Sequence, residues 1–296
     1  MALYDSILIT GGRGMLAHAF TQVLAARGVT ATVVGRHECD VTSFDDVTSA
    51  FDRVRPTLVI NCAAYTKVDL AEKEREQANR ANGIGPALLA DACSSGEAAL
   101  VHFSTDYVFD GTARRPLRPD DHVGPQSAYG ESKLIGERNI EKLNPPRWLI
   151  ARTAWLYGPN GPNFVQTMLN VARAGKPLRV VNDQVGCPTY TFDLAAATLD
   201  LLDRGASGIW HVSNSGQTTW FDFALAILEE WGLTPDLQAT TSAEWKKTKP
   251  DSATRPAYSV FDLAPLEKLL GRPMRPWREA LRAYREQVDP LKNPSS

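Results

Sequence analysis

A short apolar run, Ser6-Ile7-Leu8-Ile9-Thr10, stops abruptly at Gly11-Gly12-Arg13-Gly14-Met15-Leu16-Ala17. A helix-forming stretch follows to Arg27, and Gly28 marks its end. Few folds accommodate a strand, a glycine loop and a helix in that order. Glycines let the backbone turn tightly and approach a pyrophosphate closely. The helix behind them offers free N–H groups and the positive end of its dipole to phosphate oxygens. A GxxGxxA loop has this meaning only when a strand precedes it and a helix follows, and both conditions hold here. Gly11, Gly12 and Gly14 are therefore expected to line a dinucleotide site.

Thr30 to Gly35 is predicted as a second strand. Sites that prefer NAD usually place an acidic residue at this strand's end, for the ribose 2′-hydroxyl. Here the residue is Arg36, whose guanidinium suits a 2′-phosphate. Asp40 and Val41 follow where an adenine ring would lie. Phe44 to Val54 has helical spacing, and Leu58-Val59-Ile60-Asn61 reads as a third, buried strand. It runs into Cys62-Ala63-Ala64-Tyr65-Thr66, whose small residues allow a cofactor to pass over the backbone. Ala71 to Cys93 is expected to be helical up to Gly96. Ala99 to Phe103 forms a fourth strand and Trp148 to Arg152 a fifth. This alternation predicts an α/β fold with a Rossmann-type, doubly wound parallel sheet.

The fourth strand delivers Ser104 and Thr105 to the crevice where open α/β sheets bind ligands. Beyond it, Ser127-Ala128-Tyr129-Gly130-Glu131-Ser132-Lys133 opens a helix, with Ser127 as its cap. Tyr129 and Lys133, four apart, share one helix face. A free tyrosine titrates near 10, and a neighbouring cation is expected to lower that value. Thr105, Tyr129 and Lys133 together suit polarising a carbonyl and handing it a proton. A YxxxK pair alone also occurs on ordinary solvated faces, so its meaning rests on the glycine loop before it.

After Gly158 the rhythm loosens. Helices are expected at Phe164–Ala174, Phe192–Leu202, Trp220–Trp231, Leu263–Leu270 and Trp277–Val288, with strands at Leu178–Val181 and Ile209–Val212. Residues 234–256 read as a polar, proline-punctuated loop, with Lys246, Lys247 and Lys249 solvated. The tail from Pro290 is expected to be flexible. The 296 residues suffice for one large or two modest domains. A net charge of −2 gives no bulk argument for nucleic acid or an anionic membrane. No apolar run reaches the roughly 18–20 residues of a membrane span, and the opening residues read as neither leader nor cleavage signal. Cys39, Cys62, Cys93 and Cys187 are scattered, without a CxxC, and are expected to be reduced cytosolic thiols. The histidines show no zinc spacing, and no metal site is expected.

Further segments carry a resemblance. NCAAYTKVD at Asn61–Asp69, FSTDYVFDG at Phe103–Gly111, RTAWLYG at Arg152–Gly158, VNDQVGCPT at Val181–Thr189 and ATRPAYSVFD at Ala253–Asp262 resemble the dTDP-4-dehydrorhamnose reductase family, within the extended short-chain dehydrogenase/reductases. The resemblance runs from Ile7 to about Tyr284. It implies a Rossmann domain at residues 1–155 with a returning segment near 178–214, a smaller α/β nucleotide-sugar domain at 156–289, and a tail at 290–296. It implies NADPH as cofactor, NADH being possible, and a dTDP-linked 4-keto-6-deoxy sugar as substrate. By position, Thr105, Tyr129 and Lys133 match the catalytic trio, and Gly11, Gly14, Met15 and Leu16 the cofactor loop. Ala64, Tyr65 and Thr66, next to Ala63, match the segment beneath the cofactor. Asp106 and Trp155 match positions near the sugar, and Arg255 one near the diphosphate. Packing of Trp155 in the core is an equal alternative. Some relatives bridge a dimer through magnesium held by glutamates. Ala19 and Phe192 stand near those positions here, which leaves a monomer or a plain homodimer.

The implied reaction is NADPH-dependent reduction of the C4 ketone of dTDP-4-dehydrorhamnose in the cytoplasm. Tyr129 would give the proton, Lys133 would lower its pKa and hold the nicotinamide ribose, and Thr105 would bond the ketone oxygen. Two alternatives stand beside it. One is a reductase, epimerase or dehydratase on a related nucleotide sugar, although Asp106-Tyr107 lacks the acidic pair a 4,6-dehydratase needs. The other is a non-catalytic regulatory subunit that binds NADP, for which the intact trio would have no purpose.

Overall fold

Strands β1 (Ile7–Thr10), β3 (Leu58–Asn61) and β4 (Ala99–Thr105) are buried along their whole length, as continuous aliphatic runs require when helices cover both faces of a sheet. The computed structural model describes residues 4–289. In it, β1, β2 (Thr32–Val34), β3, β4, β5 (Arg147–Thr153) and a strand at Gly208–His211 form one parallel sheet. The spatial order is Gly208–His211, β5, β4, β3, β1, β2. The chain steps outward from β1 to β2, then returns past β1 to β3 and continues the other way. That reversal opens a crevice at the carboxyl ends of β1 and β3.

Side chains alternate across the sheet. Ile7, Ile9, Leu58, Ile60, Val101 and Leu149 pack under helix α1 (Met15–Ala26) and the Thr191–Asp203 helix. Leu8, Val59, Leu100 and Ile150 face helix α2 (Phe44–Val54), the Gly85–Ser95 helix and Ile140. Leu8, Ile9, Leu58 and Ile60 are fully buried. Truncating any one of them to alanine costs about 2–5 kcal/mol, so the crevice stands on the stiffest part of the molecule. A separate aromatic core, built around Tyr157, Tyr190, Phe223, Trp277 and Tyr284, holds the later helices together.

Two segments differ from expectation. Residues 71–93 form short helices at Val68–Ala71 and Arg75–Asn79, a π-helical turn at Arg80–Ile84 and the Gly85–Ser95 helix, rather than one helix. Pro86 at the start of the last piece supplies no backbone donor, and the buried Asn82 side chain turns away to bond Tyr65 and Ser132. Within 234–256, Leu237–Thr240 is a strand pairing in parallel with Leu178–Val181. Thr241 and Glu244 then form a reciprocal capping box that starts the Ser242–Thr248 helix. Lys246 and Lys247 are therefore helical, and the Lys246 ammonium donates to the Ser252 carbonyl. The expected tail at 290–296 lies outside the described residues.

Candidate active site

Thr105 ends β4 in extended conformation and opens a single 3-10 turn, Asp106–Val108. Its hydroxyl accepts from the Tyr107 N–H at 3.2 Å and donates to Asp106 Oδ1 at 3.0 Å. The Ser127 hydroxyl accepts from the Gly130 N–H and starts the Ala128–Leu143 helix. Gly130 brings that helix against the turn, because a Cβ there would stand 2.3 Å from the Tyr107 carbonyl oxygen. The Tyr107 and Tyr129 rings meet edge to face, centroids 5.4 Å apart. The trio is thus gathered at the carboxyl end of β4 by one turn and one helix.

The electrostatics differ from the sequence expectation. Burial pushes the Tyr129 phenol up to about 12, the Thr105 hydroxyl pulls the other way, and Asp106 adds to the rise. Lys133 does not lower it in this arrangement. Its Nζ lies 3.2 Å from His102 Nε2, and burial pulls the lysine down to about 8, with Glu137 partly offsetting that. Glu137 is itself held by Arg152 of β5 in a buried two-pronged ion pair at 2.9 and 2.7 Å.

On the cofactor side, Gly11 has a φ of +72°, and a Cβ would fall 2.7 Å from the Ala63 nitrogen and the Cys62 carbonyl carbon. Only glycine allows the loop to cross β3's exit so closely. Gly12 donates to the Val34 carbonyl and Gly14 to that of Gly11. Gly14 caps α1 with extended backbone, no side chain caps it, and its first turn carries no acid. Its N–H groups and dipole are thus left for an anion, so the loop fits a dinucleotide pyrophosphate.

Not every predicted cofactor residue presents its side chain. Leu16 is buried in the core beneath the sheet. Val41 is likewise buried and packs against Gly85. Met15 lies against Gly161. Arg36 is exposed and pairs with Asp40 at 3.0 Å, while Asp40 also accepts from the Thr42 N–H. Ala63 donates to Asn61 Oδ1. Ala64 and Thr66 are exposed, and Tyr65 donates its hydroxyl to Glu74.

On the substrate side, Asp106 is buried. Burial lifts its carboxyl to about 6. Arg255 pairs with Asp69 at 2.9 Å, and Asp69 also accepts from the Ala253 N–H. The late ATRPAY segment is thereby tied to the NCAAYTKVD segment. Trp155 adopts a φ of +50° and stacks on Trp220, ring centroids 3.7 Å apart, with Gly186 against its edge. One face of that ring is taken by protein. Asp183 and Gln184 both bond Ser242, an architectural task. Ala19 is fully buried and Phe192 packs on His18 of the same helix. Among the described residues, no group of three or more potential ligands is placed to hold a metal.

Sequence reasoning missed several residues that shape the site. Asn82 bonds both the N–H and the C=O of Tyr65 and the Ser132 hydroxyl, joining the 63–66 segment to the Ala128–Leu143 helix. His102 and Asn61 stand behind Lys133, and a histidine inside the run ALVHF was a legible signal. Gly130, within SAYGESK, was another. Arg13 lies across Gly35 at the end of β2, beside Arg36's position.

The RmlD substrate binding domain family model matches residues 5–289. The chain belongs to this family. A dTDP-4-dehydrorhamnose reductase of Streptomyces griseus is 41% identical over 280 residues, covering 93% of this chain and 91% of that one. The spore coat polysaccharide biosynthesis protein SpsK of Bacillus subtilis is 41% identical over 281 residues, 95% and 97% of the two chains. A crystal structure of dTDP-4-dehydrorhamnose reductase from Bacillus anthracis, in complex with NADP, superposes with a TM-score of 0.90 at 34% identity. It covers 96% of this chain and 99% of that one. The likeness thus takes in both the parallel sheet and the later helices. Among the described residues no helix is long and apolar enough to cross a membrane.

Proposed function

We propose that this chain is a cytoplasmic reductase that converts the C4 ketone of dTDP-4-dehydro-6-deoxy-L-mannose to the alcohol of dTDP-L-rhamnose, using NADPH. The reading rests above all on one observation: Thr105 at the carboxyl end of β4, packed against the helix that carries Tyr129 and Lys133, shares a parallel sheet with β1, whose own carboxyl end leads into an uncapped helix N-terminus. Residues 1–155 and the returning Gly208–His211 strand form the cofactor half, and most of 156–289 the sugar half. The chain acts as a monomer or homodimer.

Gly11, Gly12 and Gly14 hold the pyrophosphate of NADPH, with Arg36 at the 2′-phosphate and the 63–66 segment beneath the nicotinamide half. The cofactor, when bound, supplies the hydride. The remaining work belongs to this chain's side chains. Thr105 presents a hydroxyl to the ketone oxygen, where negative charge develops. Tyr129 gives its phenolic proton to the forming alkoxide. A phenol that burial holds near 12 is fully protonated at neutral pH, which suits the reductive direction. Lys133, one turn along the same helix, holds the ribose of the bound nicotinamide. Asp106 accepts from sugar hydroxyls, its carboxyl otherwise met by the Thr105 and Ser259 hydroxyls. Trp155 and Trp220 wall the sugar site, and Arg255 serves the diphosphate by exchanging Asp69 for phosphate oxygens.

The test is to mix the protein with NADPH and dTDP-4-dehydro-6-deoxy-L-mannose and follow nicotinamide absorbance. Oxidation of NADPH with formation of dTDP-rhamnose is expected. NADPH binding without turnover of any 4-keto nucleotide sugar would favour a regulatory subunit.

A further inference from the structure

Behind the catalytic helix a row of polar side chains crosses three adjacent strands. Thr10 of β1, Asn61 of β3 and His102 of β4 are register partners. The Thr10 hydroxyl donates to Asn61 Oδ1 at 2.7 Å, Asn61 Nδ2 meets His102 Nδ1 at 3.0 Å, and His102 Nε2 meets Lys133 Nζ at 3.2 Å. All four residues are at most 2% exposed. A polar row at the centre of a hydrophobic sheet is costly unless every member is satisfied.

The direction of these bonds follows from one fixed donor. The Ala63 backbone N–H points at Asn61 Oδ1 at 3.1 Å. A backbone N–H only donates, so that atom is the amide oxygen and the other is the NH2. The NH2 faces His102 Nδ1, which must therefore accept. A neutral imidazole with Nδ1 accepting carries its proton on Nε2. Burial and the neighbouring Lys133 hold His102 neutral. Its Nε2–H then points at Lys133, and an ammonium has no lone pair to receive it.

We propose that His102, locked by Asn61 as the Nε2–H tautomer, is a positioning residue that favours the amine form of Lys133 and so sets the pH at which this lysine titrates. Protonating Lys133 sets donor against donor and cannot be relieved by turning Asn61, because Ala63 pins it. The other groups facing Lys133 are Tyr129, one turn away on its own helix, and Glu137, one turn further on. Glu137 favours the ammonium but is neutralised by Arg152 of β5. Lys133 thereby becomes a group that gains and loses its proton near working pH instead of a permanent cation. The consequence for rate rests on the reductase reading: turnover falls as rising pH converts the ammonium to the amine.

Asn61→Asp tests this with almost no change in shape. Its oxygens still accept from Thr10 and Ala63, but the other now demands a proton on His102 Nδ1. Lysine is the stronger base of the His–Lys pair, so Nε2 becomes an acceptor for a Lys133 ammonium. The Lys133 midpoint, followed by NMR of carbon-labelled lysine, should rise by about one pH unit or more, and nitrogen NMR should show the His102 proton moved from Nε2 to Nδ1; the new carboxylate's charge alone would lift the midpoint without moving that proton, which would overturn the proposal. The alkaline limb of the ketone-reduction profile should rise with it. An unchanged or lowered midpoint in the folded variant overturns the proposal. Should Asn61→Asp fail to fold, nitrogen NMR of the unmodified protein decides: a proton on His102 Nε2 supports the proposal, and one on Nδ1 overturns it. If Nε2 is protonated and the Lys133 midpoint moves as expected while no ketone is reduced, the tautomer lock stands and the reductase reading falls.

Discussion

Gly130→Ala adds one methyl group at the seam between Tyr129 and Thr105. The new carbon would stand 2.3 Å from the Tyr107 carbonyl oxygen, where real contacts do not fall below 3.0 Å, so the turn or the helix must yield roughly 0.7 Å. The nearest atom is backbone, which cannot swing aside as a flexible side chain would. Alanine gains about 1 kcal/mol of helix propensity over glycine, while overpacking costs typically 1–3 kcal/mol. The two nearly offset, and net destabilisation should stay within about 2 kcal/mol. The rate is far less forgiving, because a misplacement on the order of 1 Å can cost about 10²-fold. Steady-state reduction of the 4-keto sugar and thermal unfolding should be measured on the same sample. Gly130→Ala is expected to lose most of its turnover with only a modest fall in Tm. Unmodified turnover in a folded protein would refute the idea that this contact sets the Thr105–Tyr129 geometry.

Other perturbations separate the roles. Tyr129→Phe keeps the ring and should lower turnover by about 10²–10⁴-fold while NADPH binding stays within a few-fold; an unchanged rate would remove Tyr129 as the acid. Arg36→Asp should weaken NADPH more than NADH, and equal loss for both would exclude contact with the 2′-phosphate. The buried Asp106 carboxyl, lifted to about 6, contributes stability below its unfolded value near 4 and loses it as pH rises through 6. Asp106→Asn cannot titrate, so its stability relative to the parent should grow between pH 4 and pH 6, by roughly 1–3 kcal/mol. Thermal midpoints at pH 4 and pH 7 that differ equally between the two proteins would contradict this.

How much of this was legible in the sequence follows from the physics of each feature. The sheet was readable because parallel strands buried on both faces must be unbroken aliphatic runs, and Gly11 and Gly28 punctuate them. Ser127, Tyr129 and Lys133 were readable because capping and spacing are local. What stayed hidden was long-range. Nothing local in EREQANRANGIGP announces the π turn, within which Asn82 reaches across to Tyr65 and Ser132. The strand at Leu237–Thr240 forms because Leu178–Val181 lies beside it, although the capping box in TTSAEW was there to be read. Lys133 was assigned to Tyr129 on spacing alone, whereas its nitrogen meets His102, which only the strand register brings there. Leu16 and Val41 were read as ligand-facing from their place in a motif, and their side chains turned out to serve the core.

Hydride delivery to C4 of a nucleotide-linked ketone, completed by a proton from the protein, leaves an isotopic record in the product. The most direct measurement uses NADPH deuterated at the transferring position, with dTDP-4-keto-6-deoxy sugar in ordinary water and proton NMR of the product. The expected product is dTDP-L-rhamnose with one deuterium on C4, formed in step with cofactor oxidation. A product without deuterium at C4, or sugar rearranged with no net oxidation of the cofactor, would contradict it.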